Sequence, residues 1–158
     1  MGYRSQVVLA MNKAAFMLFI EDVKGSTKEH KEEILSVIND TDMLAINKDG
    51  SVLLQWDSIK WYDNFDSISF LTDFINRINM ISEDSYVGQA PTIHFNKIGE
   101  DYEDIEEISS CVDDNAFEIF IERNISFTVN NNEVTEKGFF NKIFEEEGKE
   151  NEKKDSIL

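Results

Sequence analysis

The chain has only one cysteine and one proline in 158 residues, and it has no long apolar run. Cys111 alone cannot form an intramolecular disulfide, and it excludes any site built from several cysteines. The apolar stretch nearest the N-terminus, 14–20, is far shorter than the roughly 20 residues of a membrane-spanning helix. No secretory signal is visible, so we predict a soluble protein of the cytoplasm that does not contact membranes.

Recognisable catalytic motifs are missing as well. The sequence contains no G-x-S-x-G, Walker, H-E-x-x-H or C-x-x-C pattern, and His30 and His94 stand without a motif around them. Asp113 and Asp114 follow Cys111 closely, and their negative charge opposes formation of a thiolate. We therefore predict that the protein is not an enzyme and has no catalytic residues, metal or cofactor.

Basic residues are scarce: 15 Lys and Arg face 32 Asp and Glu, which gives a formal net charge of −17. A field of that sign repels nucleic acid and anionic lipid and attracts cations or basic protein surfaces. We predict a protein partner with a basic surface and no direct contact with nucleic acid.

What the chain does contain is enough to build a core, with 41% hydrophobic residues and twelve phenylalanines. Period-two and helical apolar patterns alternate along it, Asn12 and the Ser26/Glu29 pair suit helix N-termini, and Lys48-Asp49-Gly50 suits a hairpin turn. The pattern predicts, in order, strand 3–11, helices 12–24 and 27–39, strands 43–47 and 51–56, helix 67–81, and strands 92–98 and 116–129. This is an α+β fold: an antiparallel sheet with helices on one face, on the ferredoxin-like βαββαβ plan plus an extra strand.

The composition changes near residue 130 towards Asn, Glu and Lys. We therefore predict a compact α+β domain over 1–129 and an acidic tail, 130–158, with a short amphipathic helix. Phe139, Phe140, Ile143 and Phe144 share one face of that helix, which either docks on its own domain or contacts another molecule. The oligomeric state stays open, with a dimer through Phe139, Phe140 and Phe144 as one alternative.

The segment 100–107 is the most acidic part of the chain. Six carboxylates lie in eight residues: Glu100, Asp101, Glu103, Asp104, Glu106 and Glu107. Like charges about 4 Å apart repel by roughly 1 kcal/mol even in water, so a basic partner or a cation would relieve the crowding. We interpret the segment as a docking surface for a basic protein, either as ordinary contact or as an imitation of nucleic-acid phosphates. The alternatives are a solvated acidic turn and a loose cation site, since the EF-hand spacing fails.

The string from Trp56 to Tyr62 holds two Trp and one Tyr within seven residues. Strand alternation puts Trp56 on the same face as Val52 and Leu54, so we predict that Trp56 is in the core. Trp61 and Tyr62 follow the strand, and we predict them as partner-binding anchors in addition to the acidic segment.

Three segments resemble small, largely uncharacterised proteins encoded by bacteriophages: the opening MGYRS, the block QWDSIKWY at 55–62, and the run IGED at 98–101. The resemblance implies an accessory protein in the cytoplasm of an infected bacterium. From the charge and the acidic segment, we predict that it binds and inhibits or modulates a host machine, such as a nuclease, a protease or a transcription component. The alternatives are a small metal-dependent enzyme that uses clustered carboxylates and a phage structural or assembly component.

Overall fold

The computed structural model describes residues 2–81, 83–110, 117–122, 125–129 and 138–145. The chain divides into two compact units, Met1–Ile121 and Glu122–Leu158. This division falls a few residues before the predicted boundary at 129. Cys111, Asp113 and Asp114, and most of the predicted tail (130–137 and 146–158), lie outside the described residues.

The first unit contains a five-stranded sheet and three α-helices. In chain order the elements are β1 (Ser5–Met11), α1 (Lys13–Lys24), α2 (Lys28–Asn39), β2 (Met43–Ile46), β3 (Val52–Ile59), α3 (Asp66–Asn79), a 3₁₀ turn (Glu83–Ser85), β4 (Ile93–Ile98) and β5 (Ile105–Ser109). The strand order is β2-β3-β1-β4-β5, and every neighbouring pair is antiparallel. The predicted α+β class, with its βαββαβ plan and one extra strand, is confirmed.

The extra strand is not where the sequence pattern put it. We predicted it at 116–129, but the described parts of that segment, 117–122 and 125–129, are not in a strand. β5 takes this place at the edge of the sheet, where it pairs with β4. A strand that follows its neighbour through a short turn pairs locally, and β5 shows no apolar alternation, because Ile105 and Ile108 are three residues apart with Glu106 and Glu107 between them.

All three helices pack on one face of the sheet and form a single core with it. Trp56, 1% exposed, lies in this core as predicted, and its Nε1 donates a hydrogen bond to the Val37 carbonyl in α2 (3.0 Å). The buried core positions alternate along β1, β3 and β4 and recur at helical spacing along α1 and α3. They include Val7, Leu9 and Met11 of β1, Leu54 of β3, Phe95 of β4, Ala15 and Phe19 of α1, and Leu71, Phe74 and Ile78 of α3.

Local side-chain bonds fix where the helices begin. Asn12 caps α1 as predicted, because its Oδ1 accepts from the Ala15 amide (2.9 Å). The predicted Ser26 cap is wrong by one residue: Thr27 Oγ1 accepts from the His30 amide, while the Ser26 hydroxyl donates back to the Asp22 carbonyl (3.0 Å). The hydroxyls of Ser26 and Thr27 are both suitable caps, so the sequence pattern does not distinguish them. The geometry of the preceding turn decides which one caps the helix.

The β2–β3 hairpin closes through Lys48-Asp49-Gly50, as the sequence predicted. Gly50 has a φ of +89°, which favours glycine over any residue with a Cβ. The Asp49 carboxylate accepts from the backbone amide and the hydroxyl of Ser51 (2.9 and 2.7 Å), so the turn is fixed at its far side too.

In the second unit, residues 139–145 are helical. The short helix predicted in the tail is therefore present, with Phe139, Phe140 and Phe144 exposed. Its role in docking or in a dimer remains a prediction. Across the described ranges, none of the helices combines the length and the apolar character needed to cross a membrane.

Candidate functional site: the acidic turn

The sheet brings the predicted site residues to one of its ends. Ser5 pairs with Ile59, Gln6 with Ile98, and Ile98 with Ile105, so β1 and β5 begin where β3 and β4 finish. Trp61 and Tyr62 follow β3, and residues 99–104 join β4 to β5 at this same end. We call residues 99–104, together with Glu106 and Glu107, the acidic turn.

Backbone bonds give the acidic turn a defined shape. The Gly99 amide donates to the Asp104 carbonyl (2.8 Å), and the Asp104 amide donates to the Asp101 carbonyl (3.0 Å). Gly99 has no room for a side chain, because a Cβ there would collide with the Asp104 carboxylate and the Tyr3 hydroxyl. The glycine thus permits the close approach of these two groups.

Tyr3 bridges the two sides of the turn. Its hydroxyl donates to Asp104 Oδ2 (2.7 Å) and accepts from the Asp101 amide (2.9 Å). Burial raises the pKa of the Tyr3 hydroxyl, and the hydrogen bond to Asp104 adds to the rise. The hydroxyl therefore keeps its proton at neutral pH and remains a donor to the carboxylate.

One basic side chain, that of Lys97, and the backbone amide of Arg4 also hold carboxylates of the turn. The Arg4 amide donates to Glu100 Oε1 (2.9 Å), while Lys97 Nζ lies 3.6 Å from Asp104 Oδ1 and 3.7 Å from Glu106 Oε2. One alternative interpretation of the acidic segment was a loose cation site. Among these carboxylates the structure places the ammonium group of Lys97. Glu100, Asp104 and Glu106 therefore maintain the shape of the turn, and their mutual repulsion is partly relieved.

The other carboxylates of the turn face solvent. Asp101, Glu103 and Glu107 are exposed, and Glu107 points to the opposite side of β5 from Glu106. Tyr102 lies between Asp101 and Glu103 with its side chain 76% exposed. Tyr102 was not among the predicted partner-binding residues, because the tryptophan string was more distinctive. An aromatic residue flanked by acids in a predicted turn was the sequence feature that pointed to it.

Trp61 and Tyr62 are only half-buried, but their rings are largely occupied inside the protein. The Trp61 ring centroid lies 5.8 Å from that of Trp56 and 5.6 Å from that of Phe95. Trp61 also lines a small cavity of about 100 Å³ beside Lys97 and Glu106 of the acidic turn. Tyr62 packs at 5.2 Å from Phe65. Their role as partner-binding anchors stays a prediction.

One group among the described residues could share a divalent cation. His30 and Glu33 lie one turn apart on α2 and face Asp66 at the start of α3, with ligand atoms within 4.8 Å of one another. The His30 Nε2 lies 3.7 Å from Asp66 Oδ2. Nitrogen and oxygen donors of this kind suit first-row transition metals. All three side chains are exposed, so water competes for the ion, and we assign no function to the trio.

We expect His94 of β4 to make the stability of the fold depend on pH. Partial burial lowers the pKa of its imidazole, opposed by the nearby Glu107 carboxylate. The unfolded chain therefore takes up a proton near pH 6.5 while the folded chain still resists it, so the unfolded state binds more protons. We expect the free energy of unfolding to fall as the pH drops below about 6.5, and His94→Gln to remove part of that fall.

Urea denaturation of both proteins at pH values on either side of 6.5 measures this dependence. Equal pH dependence in the His94→Gln variant and the parent protein would show that His94 is not its source. The hydrogen bonds from Ser51 lower the pKa of Asp49. Asp49 therefore affects the pH dependence of the stability only below pH 3.8, the ordinary pKa of its carboxyl group.

No protein-family model, curated protein or solved structure matches this chain.

Proposed function

We propose that this chain is a phage-type acidic accessory protein that binds a basic surface on a host macromolecular machine and inhibits or modulates it. The acidic turn is the contact surface in this proposal. The observation that carries it is that the six carboxylates differ in their contacts with the rest of the protein. Glu100, Asp104 and Glu106 contact the Arg4 amide or Lys97, and the side chains of Asp101, Tyr102, Glu103 and Glu107 are exposed.

Preorganisation supports this reading over a merely solvated turn. A surface whose backbone is already fixed loses little conformational entropy when a partner binds. Tyr102 supplies a large, rigid contact area of the kind found at interface hot spots, and the surrounding carboxylates steer a basic partner towards it. The net charge of −17 also attracts a positively charged partner over a longer range.

The host machine in this proposal is a nuclease, a protease or a transcription component with a basic surface. If the target is a nucleic-acid-binding protein, the acidic turn would occupy the surface that holds phosphates. In that version, duplex DNA competes with the protein for the target, and rising salt weakens both complexes.

We expect Glu103→Lys with Glu107→Lys to weaken binding to the captured partner by at least about tenfold, since each reversal replaces an attraction with a repulsion. The variants leave the residues that hold the turn unchanged. The measurement is affinity capture by the immobilised full chain from a bacterial lysate, at low and at high salt, followed by titration of the main captured protein. Tyr102→Ala tests the aromatic contact in the same assay.

The matched control is Glu21→Lys with Asp73→Lys, which makes the same change in net charge on exposed positions of α1 and α3. Equal loss of binding in both double variants would mean that only net charge matters, and the acidic turn would not be the contact surface. Retention of the partner by the turn variant would contradict the proposal as well. Displacement of the partner by duplex DNA separates the nucleic-acid mimic from ordinary docking.

A further inference from the structure

The two edges of the sheet differ in how they are protected. β5, at one edge, carries Glu106 and Glu107, and charges of this kind discourage pairing with another strand. β2, at the other edge, reads Met43-Leu44-Ala45-Ile46 and has neither a charge nor a proline. Among the described residues, β2 pairs with β3 alone.

The side chains of β2 are exposed although they are apolar. Met43, Leu44 and Ile46 are 56, 57 and 67% exposed. Natural proteins usually shorten, charge or cover such an edge, because an uncharged strand edge invites another strand. β2 is short, but its composition offers none of the other safeguards.

The hairpin register shows which backbone groups of β2 face outwards. The Asn47 amide donates to the Ser51 carbonyl (2.9 Å), and Ala45 pairs with Leu53. Bonded and non-bonded residues alternate in an antiparallel ladder, so Met43, Ala45 and Asn47 direct their backbone groups to β3. The N–H and C=O groups of Leu44 and Ile46 therefore point to the free edge.

We propose that β2 pairs with β2 of a second copy of this chain, antiparallel, about a two-fold axis through Ala45. In this register Leu44 forms a hydrogen-bonded pair with the partner subunit's Ile46, and Ile46 with the partner subunit's Leu44. Their apolar side chains meet on the same side of the joined sheet.

The charges that flank β2 identify a second copy as the occupant. Asp42 precedes β2 and Lys48 follows it, so the two-fold axis brings Asp42 towards the partner subunit's Lys48 and Lys48 towards the partner subunit's Asp42. The edge is thus complementary to itself, with an apolar centre and opposite charges at its two ends. The proposed function assigns a basic partner to the acidic turn instead.

The net charge sets the salt dependence of this dimer. Two chains of −17 repel each other, and a four-residue strand buries much less than the 1,200 Å² or so of a stable interface. The dimer is therefore weak, and it strengthens as salt screens the repulsion. This is opposite to the salt dependence expected for binding through the acidic turn, so the two proposals can fail separately.

Sedimentation equilibrium of the full chain, over a range of protein concentrations, tests the dimer. We expect the dissociation constant to fall between roughly 0.1 M and 1 M salt, where the Debye length shrinks from about 10 Å to about 3 Å. Ile46→Lys, at an exposed position, should abolish association and leave the unfolding midpoint nearly unchanged. A wild-type chain that stays monomeric throughout overturns the proposal.

The register is tested by charge exchange. Asp42→Lys or Lys48→Asp alone puts like charges opposite each other at both ends, which should raise the dissociation constant about tenfold. Mixing the two variants restores opposite charges at both ends, so the mixture should associate about as well as the wild type. Asp73→Lys and Lys24→Asp make the same charge changes elsewhere and are the matched controls.

If the mixture associates no better than the separate variants, the proposed register is wrong. The hydrogen bond from the Asp57 amide to Asp42 Oδ2 could make Asp42→Lys unstable. In that case Lys48→Asp, with Lys24→Asp as its control, decides the question. Association that survives Ile46→Lys but is lost in Phe140→Ser would overturn the proposal in favour of the tail helix.

Discussion

Trp56→Ala is expected to lower the free energy of unfolding by about 4 kcal/mol, a large share of the 5–15 kcal/mol of an ordinary domain. Trp56 is 1% exposed and lies at the centre of the layer between the sheet and the helices. Its removal leaves a cavity and also removes the hydrogen bond from Nε1 to the Val37 carbonyl of α2. Urea denaturation followed by circular dichroism measures the loss.

Two controls separate the parts of this effect. Trp56→Phe keeps a ring in the core but has no donor for Val37, so it should cost clearly less than Trp56→Ala. Met17→Ala removes a large apolar side chain that is 57% exposed, and it should stay within about 0.5 kcal/mol of the parent. A loss for Trp56→Ala no larger than that for Met17→Ala would contradict the burial of Trp56.

Asn12→Ala should destabilise the fold by about 3 kcal/mol, an unusually large effect for a small polar side chain. Asn12 is only 5% exposed, and its Oδ1 accepts from the amides of Ala15 and Thr92 (2.9 and 3.0 Å). Its Nδ2 donates to the Ala90 carbonyl (2.8 Å). The side chain therefore joins the start of α1 to the segment that leads into β4, and alanine would leave buried donors without acceptors.

Asn12→Asp is the matched variant for this prediction. A carboxylate keeps both acceptor contacts at the helix N-terminus, but it loses the donor to Ala90 and places a second oxygen against that carbonyl, so it should cost about 2 kcal/mol. Thermal or urea denaturation at neutral pH compares the three proteins. Equal losses for Asn12→Asp and Asn12→Ala would show that the contact with Ala90, and not the helix cap, carries the effect.

Local patterns predicted most of the fold because local physics decides those features. The apolar spacing of α3, the Asn12 cap and the Asp49-Gly50 turn each depend on residues within a few positions of one another. The extra strand was misplaced for the opposite reason. Phe117, Ile119 and Ile121 have the better alternation, yet β5 gains its place through pairing with β4, which no local pattern records.

The candidate site was predicted in part for the same reason. The carboxylates of 100–107 are visible as a run, and the structure does bring Trp61 and Tyr62 to the same end of the sheet. Which carboxylates are held and which are exposed depends on Tyr3, Arg4 and Lys97. Tyr3 and Arg4 are nearly a hundred residues away along the chain, and they meet the turn only through the pairing of β1 with β4.

By itself, the sequence determined the sign and size of the charge, the α+β class and the order of its elements, because composition and periodicity are properties of the chain. Only the tertiary structure decided which edge of the sheet is uncharged, which side of the acidic turn faces solvent, and that Trp61 packs inward. Those outcomes depend on strand order and register, which bring distant residues together and are fixed by the burial of the whole core.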